Sequence, residues 1–156
     1  MKATIRTATA ADAAAIGVLA EEFQEYLRSL GDRTHFEFTA ETYRRDGFGL
    51  HPAFSGLVAE QDDTVVGYLL YHFGYDTDRA MRFMWVIDLF VGAAHRRCGV
   101  GEALMRRAAS ICREAGGREL AWSVFSANTL AFRFYERLGA TRLQNLEFMS
   151  CSAAAL

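Results

Sequence analysis

The segment that most constrains the fold is residues 82–91, in which almost every side chain is apolar. A strand without polar alternation is typical of the centre of a sheet, where other elements cover both faces. Two β-rich stretches precede it, residues 56–60 and 65–74, and the polar residues 61–64 between them predict a hairpin. Residues 3–8 predict an opening strand. We therefore expect a sheet with residues 82–91 near its middle.

Apolar residues at helical spacing predict helices on the faces of this sheet. The helices begin after Thr9, after Thr39, after Gly101 and near Asn128, and they end near Gly31, Gly47, Gly116 and Gly139. Two further strands are expected, over residues 119–124 and 141–150. Antiparallel strands followed by a β-α-β-α-β half predict a single α/β domain over residues 1–156, with a central mixed sheet flanked by helices.

The composition narrows the functional classes. Apolar residues make up 51% of the chain and charged residues 23%, as in a globular domain. The net charge of -2, with no Lys and Arg cluster, argues against a nucleic-acid partner. No apolar stretch is long enough to cross a bilayer, and the first residues lack a signal-peptide core, so a cytoplasmic protein is expected. Three widely spaced cysteines indicate neither a disulfide framework nor a metal site.

The strongest local motif is Arg96-Arg97-Cys98-Gly99-Val100-Gly101, which lies between the buried strand and a helix. Glycines let the backbone approach a ligand closely, and the N–H groups of a first helical turn have no intrahelical partner. Such a turn can hold a pyrophosphate, although an ordinary strand-to-helix turn has the same pattern. The motif is not a Walker A loop, because Glu102 and Ala103 follow it. It also lacks the third glycine of a dinucleotide fingerprint.

A second motif covers residues 128–139. Asn128 or Thr129 can cap the helix. An apolar stripe follows, made of Leu130, Phe134 and Leu138. Tyr135 is then either a packed residue of the core or a proton donor, and the motif alone leaves both roles open.

Together and in this order, the two motifs resemble those of the GNAT superfamily of N-acetyltransferases. The likeness extends to residues 5–12 and so covers nearly the whole chain. Within the superfamily the chain looks most like the diamine (spermidine/spermine) N-acetyltransferases, on residues 46–52, 67–76 and 88–91. The resemblance implies a GNAT-like fold with a splayed central strand at the cofactor site. It also implies acetyl-CoA as the cofactor, a small-molecule amine as the acceptor, and a homodimer.

The resemblance further implies a set of site residues. Contacts to the pantetheine arm and acetyl group are expected from the backbone of Leu89, Phe90 and Val91. The pyrophosphate should be held by Arg96, Arg97, Cys98, Gly99, Val100, Gly101 and Glu102. The other side of the arm should contact Asn128, Thr129, Leu130 and Ala131. Tyr135 should lie near the departing sulfur as a general acid.

At the acceptor side the chain departs from the diamine enzymes. They have a glutamate just before the aspartate of the central strand, and this chain has Ile87 before Asp88. They also have a glutamate after a tyrosine of the first helix region, and here Tyr26 is followed by Leu27. Tyr26, Leu27 and Ile87 are therefore the expected acceptor-binding positions. Spermidine and spermine should be poor substrates, and an amino-acid side-chain amine, whose carboxylate Arg28 could meet, fits better.

Acetyl transfer requires a neutral amine, because an alkylammonium has no free lone pair. Asp88 is the nearest carboxylate to act as base, but strand alternation puts it on the face opposite Ile87 unless a bulge re-aims it. A buried aspartate bonded to loop backbone is the other interpretation of this residue. His51 and His72 are weaker base candidates.

Three other functions stay open on the sequence alone. The acceptor could be a protein N-terminus or a lysine, which would need an open groove. The chain could be a catalytically silent acyl-CoA-binding domain, which Ile87 favours and Tyr135 opposes. It could also be an interaction module built on the aromatic residues of the predicted hairpin, although these fit sheet packing or a dimer surface better. They are Tyr68, Tyr71, Phe73 and Tyr75.

Overall fold

The computed structural model describes residues 3–144 and 146–155. Within these ranges the strands are β1 (Thr4–Thr7), β2 (Ser55–Gln61), β3 (Thr64–Asp76), β4 (Met81–Val91) and β5 (Gly117–Ala121). The α-helices are α1 (Ala13–Ser29), α2 (Ala40–Phe48), α3 (Val100–Glu114) and α4 (Thr129–Arg137). Short 3-10 turns lie at Ala10–Asp12, Ala93–His95 and Ala153–Ala155. No helix in the described ranges is long and apolar enough to span a membrane.

The strands form one mixed sheet in the order β1-β2-β3-β4-β5. The pairs β1–β2, β2–β3 and β3–β4 are antiparallel, and the pair β4–β5 is parallel. The predicted hairpin is confirmed, because Asp62 and Asp63 turn β2 into β3 with positive φ at both residues, 50° and 59°. This turn geometry matches the twist of the flanking strands. The parallel pair needs a crossover, and α3 supplies it.

The sheet separates two apolar layers. On one face, α1 and α2 pack against side chains that include Val58, Leu70 and Phe90; we call this the α1 layer. On the other face, α3 packs against side chains that include Leu57 and Met84; we call this the α3 layer. Because β4 is covered on both faces, its almost continuous apolar sequence is explained by position, as predicted.

A β-bulge interrupts β4. Leu70 of β3 is paired with Asp88 and Tyr71 with Val86, so Ile87 is an extra residue in β4. Tyr71 and Val86 belong to the α3 layer, whereas Leu70 belongs to the α1 layer. Regular alternation would put Val86 and Asp88 on the same face. The bulge instead turns Asp88 to the α1 face.

Close to this bulge, β4 and β5 part. Their pairing runs from Arg82, opposite Gly117, to Trp85, opposite Ala121. Beyond Trp85, β4 continues to Val91 without β5, while the chain after Ala121 leads to α4. The expected splay of the central strand is therefore confirmed. It also explains why β5 ends at Ala121 rather than at residue 124.

The strand predicted over residues 141–150 is wrong for the described part of that segment. Residues 141–144 and 146–150 have no strand pairing, and residue 145 lies outside the described ranges. The apolar side chains of Leu146 and Phe148 are 68% and 81% exposed. Alternating apolar residues form a strand only when a neighbour accepts their backbone hydrogen bonds, and none of the strands named above does so. The one ring contact to the sheet is between Phe148 and Trp85, at 6.1 Å among the described residues.

Candidate active site

The splayed edge of β4 forms one wall of a large cleft. Beyond Trp85, alternate backbone N–H and C=O groups of this edge have no strand partner in β5. Residues 122–126 and α4 form the opposite wall, and residues of α1 and α3 complete the lining. The cleft has a volume of about 1530 Å³. Typical small-molecule sites measure ~300–1,000 Å³, so this cleft has room for a long ligand.

One end of the cleft is the glycine loop before α3. Arg97 and Gly99 have positive φ, 63° and 80°, a conformation that an arginine rarely adopts. A Cβ atom at Gly99 would meet nothing within 4 Å, so the space at this residue is open. Within the described part of the chain, the first turn of α3 has no side-chain cap. Its N–H groups are therefore available to an anion, which the helix dipole also favours.

Arg96, the first residue of the motif, is held by the protein itself. Its Nε donates to the backbone oxygen of Val91 at 2.9 Å. Its guanidinium lies over the rings of Tyr26 and Phe90, at 5.1 and 5.0 Å from their centroids. A carboxylate oxygen of Glu22 lies 4.0 Å away. These contacts fix the start of the loop against β4 and α1.

A hydrogen bond links α1 to α4 at the cleft. The hydroxyl of Tyr26 donates to Oδ1 of Asn128 at 2.8 Å, and the same oxygen accepts from the N–H of Ala131 at 3.1 Å. Asn128 is therefore the N-cap of α4, one of the two predicted caps, and its side chain is buried. Because one amide oxygen serves both donors, Tyr26 fixes the start of α4 relative to α1.

Asp88 lies on the cleft, on the α1 face of β4. Burial raises its pKa to about 6, and no neighbouring charge or hydrogen bond in the described residues offsets this effect. A carboxylate loses hydration when it is buried, which favours its neutral form. The interpretation of Asp88 as a carboxylate bonded to loop backbone is therefore not supported. A carboxyl with a pKa near neutrality suits a general base.

Tyr135 combines both of the roles that the sequence left open. Its ring packs against the α3 layer and lies 4.7 Å from the ring of Trp122. Its side chain also lines the cleft. Burial, and secondly the charge of Asp88, raise the pKa of Tyr135 to about 12. The phenol is therefore protonated at neutral pH and can donate a hydrogen bond or a proton.

The cleft brings together most of the residues that the sequence predicted for the site. Lining residues from that set are Tyr26, Leu27, Ile87, Asp88, Leu89, Phe90, Val91, Arg96, Arg97, Gly99, Val100, Gly101, Glu102, Asn128, Leu130, Ala131 and Tyr135. Cys98 and Thr129 are exposed and do not line it. His51 and His72 are also exposed and lie outside the cleft, so neither is placed to act as its base. Arg28 is exposed and outside the lining, so it is not placed to meet an acceptor carboxylate there.

Several lining residues were missed by sequence reasoning. Arg133 and Arg137 lie one turn apart on α4 and both line the cleft. Their four-residue spacing was a signal that they share a helix face. Trp122 gives no such signal, because it follows the end of β5 and belongs to no periodic pattern. No cluster of three His, Cys, Asp or Glu side chains in the described ranges could hold a metal ion.

Comparison with known proteins agrees with this architecture. Residues 18–140 match the model of the acetyltransferase (GNAT) family. Thialysine N-epsilon-acetyltransferase of Bos taurus is 33% identical over 155 residues, which cover 94% of this chain and 89% of that protein. Spermidine/spermine N(1)-acetyltransferase-like protein 1 of Homo sapiens is 29% identical over 118 residues, 71% of this chain and 17% of that protein.

Solved structures show the same fold. Ribosomal-protein-alanine N-acetyltransferase from Brucella melitensis biovar Abortus 2308 superposes with a TM-score of 0.77 at 19% identity, over 97% of this chain and 100% of that chain. The family model and the Bos taurus relative show that the protein with this splayed sheet and cleft is an acyltransferase enzyme. The chain belongs to the GNAT acetyltransferase family, whose members use acetyl-CoA. The family resemblance drawn from the motifs is confirmed.

Proposed function

We propose that this enzyme transfers the acetyl group of acetyl-CoA to the side-chain amine of a small amino acid of the lysine or thialysine type. The observation that carries the proposal is the charge of the cleft. Four arginines line it, Arg96, Arg97, Arg133 and Arg137, against two carboxyls, Asp88 and Glu102. Glu102 is already paired with Arg106 at 2.7 Å. Such a lining favours an anionic cofactor and an acceptor with one reacting ammonium, and it disfavours a polycation.

The glycine loop fits the pyrophosphate of acetyl-CoA. The uncapped first turn of α3 and the open space at Gly99 would receive it, with Arg97 adding positive charge. The free edge of β4 at Leu89–Val91 would hold the pantetheine arm, and Asn128, Leu130 and Ala131 would form its other wall. Acetyl-CoA supplies the activated acetyl thioester.

Asp88 and Tyr135 would carry the proton transfers. Because the pKa of Asp88 is about 6, the carboxyl is mostly ionised at neutral pH and can accept the proton of the attacking amine. Tyr135 would donate its proton, or a hydrogen bond, to the sulfur as it departs. Backbone N–H groups on the free edge of β4 would polarise the carbonyl oxygen, as in an oxyanion hole.

The acceptor wall favours an alkyl chain that brings one ammonium group to Asp88. Leu27 and Ile87 line it, and Ile87 is 38% exposed. The hydroxyl of Tyr26 donates its proton to Asn128, so it offers an ammonium group a neutral acceptor oxygen and no negative charge. Asp88 is then the single carboxylate placed at this wall, among the described residues, to pair with an amine. The name of the Bos taurus relative, a thialysine enzyme, supports an acceptor of this kind.

A homodimer and a cytoplasmic location belong to the same proposal. Leu146, Phe148 and Met149 expose apolar surface after α4, which a second copy could cover. Sedimentation that finds only a 17.4 kDa species at micromolar concentration would contradict the dimer. Cys98, Cys112 and Cys151 are free thiols, which suits a reducing compartment.

The test is an acetyl-CoA turnover screen with thiol release as the readout. Acceptors would be thialysine, lysine, ornithine, putrescine, spermidine and a peptide with a free N-terminus. We expect kcat/KM for thialysine to exceed that for spermidine by at least ~100-fold, because a desolvated charge without a partner costs ~2–5 kcal/mol. A spermidine kcat/KM above about 10⁴ M⁻¹s⁻¹ would contradict this acceptor class. Preference for the peptide would indicate a protein acetyltransferase, and acetyl-CoA binding without turnover would indicate a silent domain.

A further inference from the structure

The α1 layer contains a buried phenol whose hydroxyl is unused. Tyr68 on β3 is 0% exposed, and in the described residues its hydroxyl oxygen is buried without a hydrogen-bond partner. Buried polar groups are almost always paired, because an unpaired group loses its hydration without compensation. Tyr43 in the same layer follows this rule, since its hydroxyl donates to the backbone oxygen of Thr9 at 3.0 Å. We therefore expect the hydroxyl of Tyr68 to have a hydrogen-bond partner in the working enzyme.

Asp88 is an acid on the same sheet face as Tyr68. Tyr68 is paired with Phe90, and Asp88 precedes Phe90 by two residues on β4. Tyr68 and Asp88 are therefore diagonal cross-strand neighbours, a separation of ~7–8 Å that a tyrosine side chain can reach across. The Tyr68 hydroxyl and the Asp88 carboxylate also interact electrostatically. Burial, and secondly the charge of Asp88, raise the pKa of Tyr68 well above its ordinary value.

The bulge creates this arrangement. Val86 belongs to the α3 layer, and if Ile87 were paired regularly in the strand, Asp88 would point to the same face as Val86. The bulge turns Asp88 onto the face where Tyr68 lies. One wall of the carboxyl site thus contains an unused donor, while the carboxyl itself has no hydrogen bond that offsets its burial.

We propose that Tyr68 is a positioning residue for Asp88, its hydroxyl donating a hydrogen bond to the carboxylate directly or through one bound water. This inference rests on the role of Asp88 in the proposed function. A donor stabilises the charged form of a carboxyl, so the bond counteracts burial and keeps the base ionised and correctly oriented. It also satisfies the hydroxyl of Tyr68.

Other titratable groups reach the cleft from each neighbouring element. Tyr135 lies on α4, and Tyr26 on α1 is engaged by Asn128. The charged or titratable lining residues of the loop, α3 and α4 are His95, Arg96, Arg97, Glu102, Arg133 and Arg137. None of these offsets the burial that raises the pKa of Asp88. Tyr68 differs from them because its hydroxyl is a buried donor without a partner in the described residues, so it is free to form the bond that would lower this pKa.

The decisive experiment is a carbon-13 NMR titration of the Asp88 carboxyl, assigned with Asp88→Asn. Burial alone sets the pKa of Asp88 at about 6. With the Tyr68 hydrogen bond, the wild-type carboxyl should titrate about one pH unit lower, and Tyr68→Phe should return it to about 6. Tyr43→Phe, the same change in the same layer, should leave the titration unchanged. Equal titration of wild type and Tyr68→Phe would overturn the proposal.

A second readout uses the wild-type protein and so does not depend on the folding of a variant. The chemical shift of the Tyr68 ζ-carbon should change with pH, with the same midpoint as the Asp88 carboxyl. A chemical shift that stays constant through this pH range would overturn the proposal. In kinetics, Tyr68→Phe should lower kcat/KM about threefold at pH 5.5 and leave it unchanged at pH 8. An equal loss at both pH values would indicate a structural role instead. Because the NMR measurements need no turnover, they test Tyr68 even if no amine proves to be acetylated.

Discussion

The two ends of the cleft are built by different means. At the loop end, the structure offers backbone: a glycine at φ 80°, open space beside it, and the uncapped first turn of α3. At the bulge end it offers side chains, namely Asp88 and Tyr135, with Ile87 and Leu27 beside them. Binding through backbone N–H groups depends on a loop conformation that glycine permits. Chemistry that depends on a side chain is lost when that one residue is replaced. We therefore expect the loop end to control cofactor affinity and the bulge end to control turnover and acceptor choice.

The largest effect should come from Asp88→Asn at the bulge end. Loss of a general base typically costs ~10²–10⁴-fold, and we expect kcat/KM to fall about 10³-fold with acetyl-CoA affinity unchanged. Steady-state kinetics and calorimetry measure the two quantities. Because the carboxylate is the active form, wild-type activity should fall as the pH drops through the carboxyl pKa, at or below about 6, and Asp88→Asn should lack this dependence. If acetyl-CoA affinity and turnover fell equally, the two ends of the cleft would not have separate roles.

Asp88→Asn should also change the thermal stability of the protein. The pKa of Asp88 is raised in the folded state, so folding disfavours the ionised form. The penalty is absent at pH 3, below the unfolded pKa of the carboxyl, and it grows as the pH rises through the folded pKa. Asp88→Asn should therefore raise Tm at pH 8 relative to wild type, and the gain should vanish toward pH 3. A lower Tm at pH 8 would show that the carboxylate is stabilised by its surroundings.

Gly99→Asp should act at the loop end. The side chain would enter the open space and place a negative charge where the pyrophosphate is expected, so acetyl-CoA affinity should weaken at least ~100-fold. Gly116→Asp is a matched control, because Gly116 also has a positive φ, 78°, with open space beside it, but follows the other end of α3. Calorimetry should find its affinity near that of wild type. If both variants bind equally well, the loop does not hold the cofactor.

Tyr135→Phe removes a hydroxyl and keeps the ring that packs against Trp122. We expect kcat to fall by about 10² with little change in acetyl-CoA affinity, as for a lost general acid. Tyr71→Phe is the control, since Tyr71 is a buried phenol of the same α3 layer and does not line the cleft. Turnover within about threefold of wild type would return Tyr135 to a packing role.

The smallest effect should come from Ile87→Glu. This change adds a carboxylate at a half-exposed position of the acceptor wall, where a second ammonium group could pair with it. Such a pair is worth ~1 kcal/mol, so kcat/KM for spermidine should rise about fivefold. Ile87→Gln, with the same shape and no charge, should give no gain. A gain with both variants would mean that size rather than charge limits polyamines.

The elements that depend on local patterns were predictable. Glycine spacing, the apolar run of β4 and the Asn128 cap each leave a signal within a few residues, and each led to the right element. The cleft followed from the resemblance of two motifs, because both motifs line it. Cys98 was expected there only as a member of the loop, but its side chain is exposed and its Sγ donates to the backbone oxygen of Arg96 at 3.4 Å.

Features that depend on pairing between distant strands were not predictable. The bulge at Ile87 exists because Leu70 and Tyr71 of β3 set the register on either side of it. The sequence of β4 alone contains no residue that predicts a bulge there. The unused hydroxyl of Tyr68 is visible only once that register is known. The strand predicted over residues 141–150 failed for the same reason, since alternation cannot say whether a neighbouring edge is available.

The bulge makes the length of β4 as important as its composition. Ile87 can be replaced, because its side chain is partly exposed and fills no space in either layer. Deleting it would remove the bulge and leave Asp88 to Val91 on their present faces, because Val86 and Asp88 would then be consecutive residues. Deleting Leu89 instead would move Phe90 from the α1 layer to the α3 layer, and Val91 the other way. In descendants of this gene, a three-nucleotide loss should therefore be tolerated at codon 87 far better than at codon 89.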